Sequence, residues 1–285
     1  MNQRDAKPVH MYPWDSPALL HRSTQLRTDD TLQRLWRSPQ ARLLQVDAES
    51  RFAADPFGVP PAGELDESIA FLGTVFGGPW FAERVVEVPG GHTVRDATLT
   101  GTQYQLASAA LAILNWADAT RFCDRCAGRL RRIRGGFAAV CMVCELEHFP
   151  RTDPAVIVAL LDPDDRIFLA HQVSWPAGRA SILAGFVEAG ESAENAVHRE
   201  VAEEAQLIVD SLRFLGSQPW PFPRSLMLAF VARTRSPGRV DQVELEWGDW
   251  FSREQADAAQ ASGTLTLPGA GSVAGRILDA WRAGT

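Results

Sequence analysis

Hydrophobic positions follow three successive patterns along the chain. Up to about residue 118, short alternating or apolar segments (41–46, 68–75 and 81–88) are broken by Pro and Gly, as in Asp55-Pro56-Phe57-Gly58-Val59-Pro60-Pro61. They lead into residues 103–116, where Leu106, Ala110, Ile113 and Leu114 recur at helical spacing. This predicts a small α+β domain over 1–118 with no chemical motif of its own. Residues 119–150 form a short region marked by cysteines. From 151 to 285 the pattern is that of alternating strands and helices. Residues 155–161 are an unbroken apolar run, long enough for a buried strand, followed by the turn Asp162-Pro163-Asp164-Asp165 and a return strand over 166–171. Further strands are expected over 211–216 and 226–233, and helices over 253–259 and 272–283.

Composition narrows the class. With 46% hydrophobic and 22% charged residues over 285 positions, the chain can bury more than one core. The longest apolar run, 137–144, is far shorter than the ~20 residues a membrane helix needs. The amino terminus, MNQRDAKPVHMYPW, has no apolar core of signal-peptide type. No membrane association is expected, and the cytoplasm is the default. Lys and Arg number 28 against 35 Asp and Glu, a net charge of −7, which argues against a surface that grips nucleic acid throughout. One basic stretch remains, Arg121, Arg125, Arg129, Arg131, Arg132 and Arg134. Its simpler reading is a solvated surface; the sharper one is a phosphate-tracking patch.

The four cysteines are grouped as Cys123-x2-Cys126 and Cys141-x2-Cys144. Two such hairpins can present four thiolates to one tetrahedral ion, and a reducing compartment disfavours disulfides. The spacing predicts a zinc ribbon over 119–150. Four thiolates fill the shell, so the Zn2+ would be structural rather than catalytic.

The chemistry is concentrated in residues 185–207, GFVEAGESAENAVHREVAEEAQL. From Ser192 the pattern is helical, with Ala193, Ala196, Val197, Val201 and Ala202 expected on an apolar face and Glu200, Glu203 and Glu204 opposite it. Glu200 and Glu204 are one turn apart, so their carboxylates project together. Such a cluster repels itself unless something positive sits there, and Mg2+ favours a few carboxylates plus phosphate oxygens. A solvated acidic face is the bland alternative. His198 is expected at the surface or in packing rather than in catalysis.

In context, Gly185-x5-Glu191-x7-Arg199-Glu200-Val201-x-Glu203-Glu204 resembles the Nudix box, GX5EX7REUXEEXGU, departing at Gln206 where the family has Gly. That Gly ordinarily provides a left-handed helix end. A second segment, Ser217–Ser225 in the form SQPWPFPRS, stiffens its chain with three prolines and reads as a loop rather than a central strand. Trp220 and Phe222 between those prolines offer flat surfaces suited to a base. A box, this segment and a four-cysteine ribbon immediately upstream together resemble the NADH pyrophosphatases, or NAD diphosphatases, within the Nudix enzymes. The resemblance covers about residues 120–278.

The resemblance implies an α+β protein whose carboxy-terminal Nudix domain is an α/β/α sandwich with a mixed sheet. It implies hydrolysis of the diphosphate of NAD(H) to nicotinamide mononucleotide and AMP, removal of NAD caps from RNA, and a homodimer. Catalysis would rest on Glu200, Glu203 and Glu204, with Mg2+ or Mn2+ held by Glu200, Glu204, the Ala184 carbonyl and Glu244. Glu246 is the competitor for that last position, and Trp247 stands where a further Glu is common. Arg199 would orient the glutamates. Substrate contacts would fall on Gln218, Pro219, Trp220, Pro221, Phe222, Pro223, Arg224 and Ser225, on Phe186, Ala274 and Arg95, and on Phe149, where Tyr is usual. Gly136 replaces an acidic contact. Two other functions fit parts of the pattern: a Nudix hydrolase of ADP-ribose or dinucleoside polyphosphates, and a catalytically silent Nudix module that binds nucleotides or RNA.

Overall fold

The computed structural model describes residues 19–235 and 244–284. The amino-terminal stretch read above for a signal peptide lies outside the described residues. Two compact units are present: one holds the described residues up to 152 together with Trp220–Arg224, the other holds residues 153–219 and the described residues from 225 onward.

In the first unit, β1 (Leu20–His21), β2 (Arg42–Val46), β3 (Ala70–Val75) and β4 (Gly78–Arg84) form a sheet in the order β1-β3-β4-β2. The sheet is antiparallel except for the parallel β2–β4 pair. Helix α1 (Asp29–Trp36), which the sequence reading missed, buries Leu32 and Trp36 against Phe71 and Phe81. It is only eight residues long and opens on two aspartates, so its apolar signal is confined to Leu32, Leu35 and Trp36 within little more than one turn. Helix α2 (Gly101–Ala119) starts before the expected 103 because Thr100 and Gln103 form a capping box. Its residues Leu106, Ala110, Ile113 and Leu114 are buried against Leu44, Ala70 and Leu72. The expected segment 81–88 is displaced: β4 ends at Arg84 and Val86 is fully exposed. A three-stranded antiparallel ribbon follows, β5 (Leu130–Ile133), β6 (Ala138–Cys141) and β7 (Glu147–His148).

In the second unit, β8 (Asp153–Leu161), β9 (Ile167–Gln172), β11 (Ser211–Trp220), β12 (Ser225–Arg233) and β13 (Leu245–Phe251) lie in the order β11-β12-β8-β9-β13. Strand β10 (Leu183–Phe186) pairs antiparallel with β8, whereas β12 pairs parallel with it, so the sheet is mixed. The apolar run 155–161 is buried throughout because β8 is covered on both faces. Its Val156, Val158 and Leu160 meet Ala196, Val197, Val201 and Ala205 of α3 (Ala193–Ala205). Helix α5 (Val273–Arg282) also packs on β8, and α4 (Arg253–Ala261) packs on β13. The carboxy-terminal unit is thus an α+β sandwich built on a mixed sheet.

Two expectations are corrected here. The segment 217–225 is not all loop: β11 continues through Pro219 to Trp220, and only residues 221–224 turn. Proline is tolerated because β11 is an edge strand. The apolar face of α3 is also redrawn, since Ala202 is exposed and Glu204 is buried with Val197, Val201 and Ala205. Positions 197, 201, 204 and 205 share one stripe at i, i+4, i+7 and i+8, so Glu204 enters the sheet-facing side.

Candidate active site

Helix α3 begins at Ser192, whose hydroxyl accepts from the Asn195 N–H at 3.2 Å, with Glu194 in the positive first turn. It ends at Gln206, which adopts φ 51°, ψ 35°, the left-handed conformation expected of the box glycine. The Gln206 and Leu207 N–H groups donate to the Ala202 and Val201 carbonyls at 3.1 and 3.3 Å. The backbone route out of the helix is therefore kept, at the steric cost of a Cβ in that region.

Arg199 organises the acidic edge. Its guanidinium donates to Glu191 through Nε (3.0 Å) and Nη2 (2.9 Å), to Glu200 (2.9 Å) and Glu203 (3.1 Å) through Nη1, and to the Phe186 carbonyl (2.8 Å). This is the orienting role expected for it. Glu191 closes the loop before the helix by accepting from the Glu188 N–H at 3.0 Å. The Arg199 hydrogen bond, and then the Glu188 N–H, hold the Glu191 carboxyl below its ordinary range. Glu200 behaves oppositely. Burial pushes its carboxyl up, Arg199 pulls against that, and the charges of Glu203 and Glu244 add to the rise. Gly185 explains the nearness: a Cβ built there would lie 1.9 Å from the Glu200 carboxyl carbon. The box glycine is needed because Glu200 occupies the space a side chain would take. Ala184 precedes it on β10, in register with Ile157. His198 and Phe186 are exposed.

The two candidates for the outer carboxylate separate by environment. Glu244 is exposed and adds to the repulsion on Glu200. Glu246 lies 3.2 Å from Nε2 of the buried His171, whose ring stacks on Trp247 at 5.8 Å and 10°. Glu246 thus faces a histidine of β9, and Trp247 packs where a further acid is common.

Gln218 is fully buried. Its Oε1 accepts from the Val273 N–H at 2.6 Å and its Nε2 donates to the Gly271 carbonyl at 3.0 Å, which ties β11 to the first turn of α5, where Ala274 is buried. Gly275 is confined by the Gly269 carbonyl, 2.1 Å from a built Cβ. Pro219 lies on the same edge strand, and Ser225 opens β12. Trp220, Pro221, Phe222, Pro223 and Arg224 group with the first unit. There the Trp220 and Phe222 rings meet edge to face at 5.3 Å, and the Arg95 guanidinium stands 4.3 Å from the Phe222 centroid and 5.2 Å from that of Trp220.

In the ribbon, the four cysteine Sγ atoms lie within 4.8 Å of one another, with Cys123–Cys144 at 3.7 Å and Cys126–Cys141 at 3.4 Å. Tetrahedral Zn2+ with ~2.3 Å bonds requires sulfur separations of about 3.8 Å, so the donor set fits. Backbone N–H groups of Cys144 and Val143 point at Cys141 Sγ and lower that thiol to about 6. Gly136 is buried at φ 88°, and a Cβ there would meet Ile113 and Ala70. An acidic side chain has no room at this position. Phe149 is exposed beside a cavity lined in part by Arg27, Arg131 and Phe137. Of the basic stretch, Arg121, Arg125, Arg129, Arg131 and Arg134 are exposed and Arg132 is partly covered.

A family model described as NUDIX domain matches residues 151–266. Over nearly the whole length, the chain is 37% identical to the NAD-capped RNA hydrolase NudC of Mycobacterium bovis (strain BCG / Pasteur 1173P2), covering 92% of each chain. The corresponding protein of Mycobacterium tuberculosis (strain ATCC 25618 / H37Rv) gives the same identity and coverage. This chain belongs to the NADH pyrophosphatase (NudC) subfamily of Nudix hydrolases. A NudC of Pseudomonas syringae pv. syringae (strain B728a) is 44% identical over 52% of this chain and 53% of its own. Nudix hydrolases work with divalent metal ions. In this one, the hard carboxylate donors of α3 suit such an ion, and the soft ribbon thiolates suit a different one. Among the described residues, no helix is long and apolar enough to cross a membrane.

Sequence reasoning missed two features of the site: the burial of Glu204 and the consumption of the Gln218 amide by backbone. Position 204 on the Val197/Val201 stripe carried the first signal. The second had none, since its partners are backbone groups more than 50 residues away.

Proposed function

We propose that the protein hydrolyses the diphosphate of NAD(H), yielding nicotinamide mononucleotide and AMP, and acts on the same linkage in NAD-capped RNA. The observation that carries this reading is the acidic edge of α3: Glu200 is held in the space left by Gly185, its carboxyl raised by burial and by the neighbouring charges of Glu203 and Glu244. Carboxylates in excess of the single Arg199 guanidinium suit cations that a pyrophosphate also needs. The names of the NudC relatives support the substrate, and so does the SQPWPFPRS segment.

In this reading Glu200, Glu204, Glu244 and the Ala184 carbonyl hold Mg2+ or Mn2+. The bound ions would supply neutralisation of the diphosphate oxygens and acidification of a water. Glu203 accepts a proton from the attacking water or holds that water in line. Arg199 keeps three carboxylates aimed without drawing them into one cluster. Pro219 and the turn from Trp220 to Ser225, with Phe186, Phe149 and Arg95, select the nicotinamide nucleotide, while the buried Gln218 and Ala274, expected as substrate contacts, hold β11 against α5 instead. The ribbon cysteines hold a structural Zn2+. The labour divides into an amino-terminal domain over 1–118, a ribbon over 119–150 and the Nudix domain over 151–285. A homodimer and a cytoplasmic setting, where thiols stay reduced, belong to the same proposal.

Chromatography of products from NADH tests it. Nicotinamide mononucleotide and AMP should accumulate with Mg2+ or Mn2+ and vanish with EDTA. Turnover of ADP-ribose at the same kcat/KM would contradict the substrate assignment.

A further inference from the structure

The turn Trp220–Arg224 is carried by the Nudix strands β11 and β12 yet groups with the amino-terminal unit. Prolines 221 and 223 have no N–H, so apart from Phe222 the segment 221–223 offers a neighbour only carbonyls. Holding it from outside therefore takes a donor. Asn115 supplies one: its Nδ2 donates to the Pro221 carbonyl at 2.9 Å and to the Pro223 carbonyl at 3.3 Å, one on each side of Phe222. It is a polar residue set among the buried Ile113, Leu114 and Trp116 of α2.

The amide's orientation is fixed from behind. Arg84 Nη2 donates to Asn115 Oδ1 at 2.8 Å, which leaves the NH2 group facing the prolines. Arg84 is itself held by Asp118 at 2.9 Å and by the Asp47 carbonyl at 2.6 Å. Phe222 packs against the α2 core while Arg95 covers its ring. The chain of contacts runs from Asp118 through Arg84 and Asn115 to the backbone on both sides of one aromatic ring.

We propose that Asn115 is a positioning residue for substrate selection, through which the amino-terminal domain sets the direction of Phe222 and Trp220. This rests on the reading above that the turn selects the nicotinamide nucleotide. It gives the amino-terminal domain a part in selectivity although it carries no catalytic motif.

The decisive variant is Asn115→Asp, which keeps the acceptor for Arg84 and removes the donor to the prolines. With the full-length protein and Mn2+, KM for NADH should rise roughly tenfold, as expected for losing two neutral hydrogen bonds, while kcat stays within about threefold. KM for ADP-ribose, which lacks nicotinamide, should move less than about threefold, and the melting temperature should stay near wild type. Asn115→Ala, which also removes the acceptor, should shift selectivity in the same direction. Unchanged NADH kinetics in Asn115→Asp would overturn the inference, as would KM values for both substrates rising together. A wild-type protein that does not hydrolyse NADH would overturn the underlying reading and the inference with it.

Discussion

The ribbon and the box helix both collect metal-ligand side chains, but in opposite ways. In the ribbon, four thiols already stand at the separations of a tetrahedral ion, and backbone N–H groups favour the thiolate at Cys141. On α3 the carboxylates do not close up. Among the described residues, only sets containing Cys123 bring three or more donor atoms within 4.8 Å of one another. Arg199 spans the gaps instead, and Glu200 carries a carboxyl raised by burial. A closed soft site serves the fold, because every coordination position is filled by protein. In the proposed reading an open hard site would leave positions for water and phosphate, and its residual repulsion would be relieved by the cations.

The contrast breaks most visibly under substitution. Cys141→Ser should remove the ribbon's metal and lower the melting temperature by about 10 °C or more, read by calorimetry and zinc content. Glu204→Gln should do the reverse: NADH hydrolysis falls about a hundredfold or more while the melting temperature stays near wild type, since Gln keeps the size of the buried side chain. If Glu204→Gln unfolds the protein and Cys141→Ser does not, the two roles are misassigned. Gly185→Ala comes next, because its methyl group displaces the Glu200 carboxylate. Hydrolysis should drop by roughly a hundredfold with little change in stability.

A pH titration sharpens the same point. The Glu200 carboxyl is raised in the folded protein, so the stability it contributes is present below the ordinary carboxylate value and lost as pH rises through its elevated one. Without divalent ions, Glu200→Gln should melt close to wild type at low pH and progressively above it across that window. Added Mn2+ should stabilise wild type and leave Glu200→Gln behind. A gap that is constant with pH would remove Glu200 from the account. The smallest effect concerns the helix end. Gln206→Gly places glycine in the left-handed conformation already adopted and should stabilise the protein by about 0.5–1 kcal/mol in denaturant titrations.

Much of this was legible in the sequence where local physics decides. Ser192 caps α3 where the pattern begins, the cysteine spacing yields the four-sulfur cluster, and the run 155–161 is the doubly covered central strand. What escaped depends on distant partners. The contact of Glu246 with His171, on another strand, has no trace in the local spacing. The last residues of β11 read as loop because prolines argue against pairing, and only the sheet order shows an edge strand that needs fewer donors. Asn115 gives no sign of its role in the sequence, since the carbonyls it serves lie more than 100 residues away.

The most direct test of the central claim is anomalous scattering from crystals soaked with Mn2+ and a non-hydrolysable NAD analogue. The account predicts manganese peaks against the carboxylates of Glu200 and Glu204, with Glu244 on the outer side and Arg199 still bound to Glu191. A fully occupied analogue with no manganese at those carboxylates would contradict it.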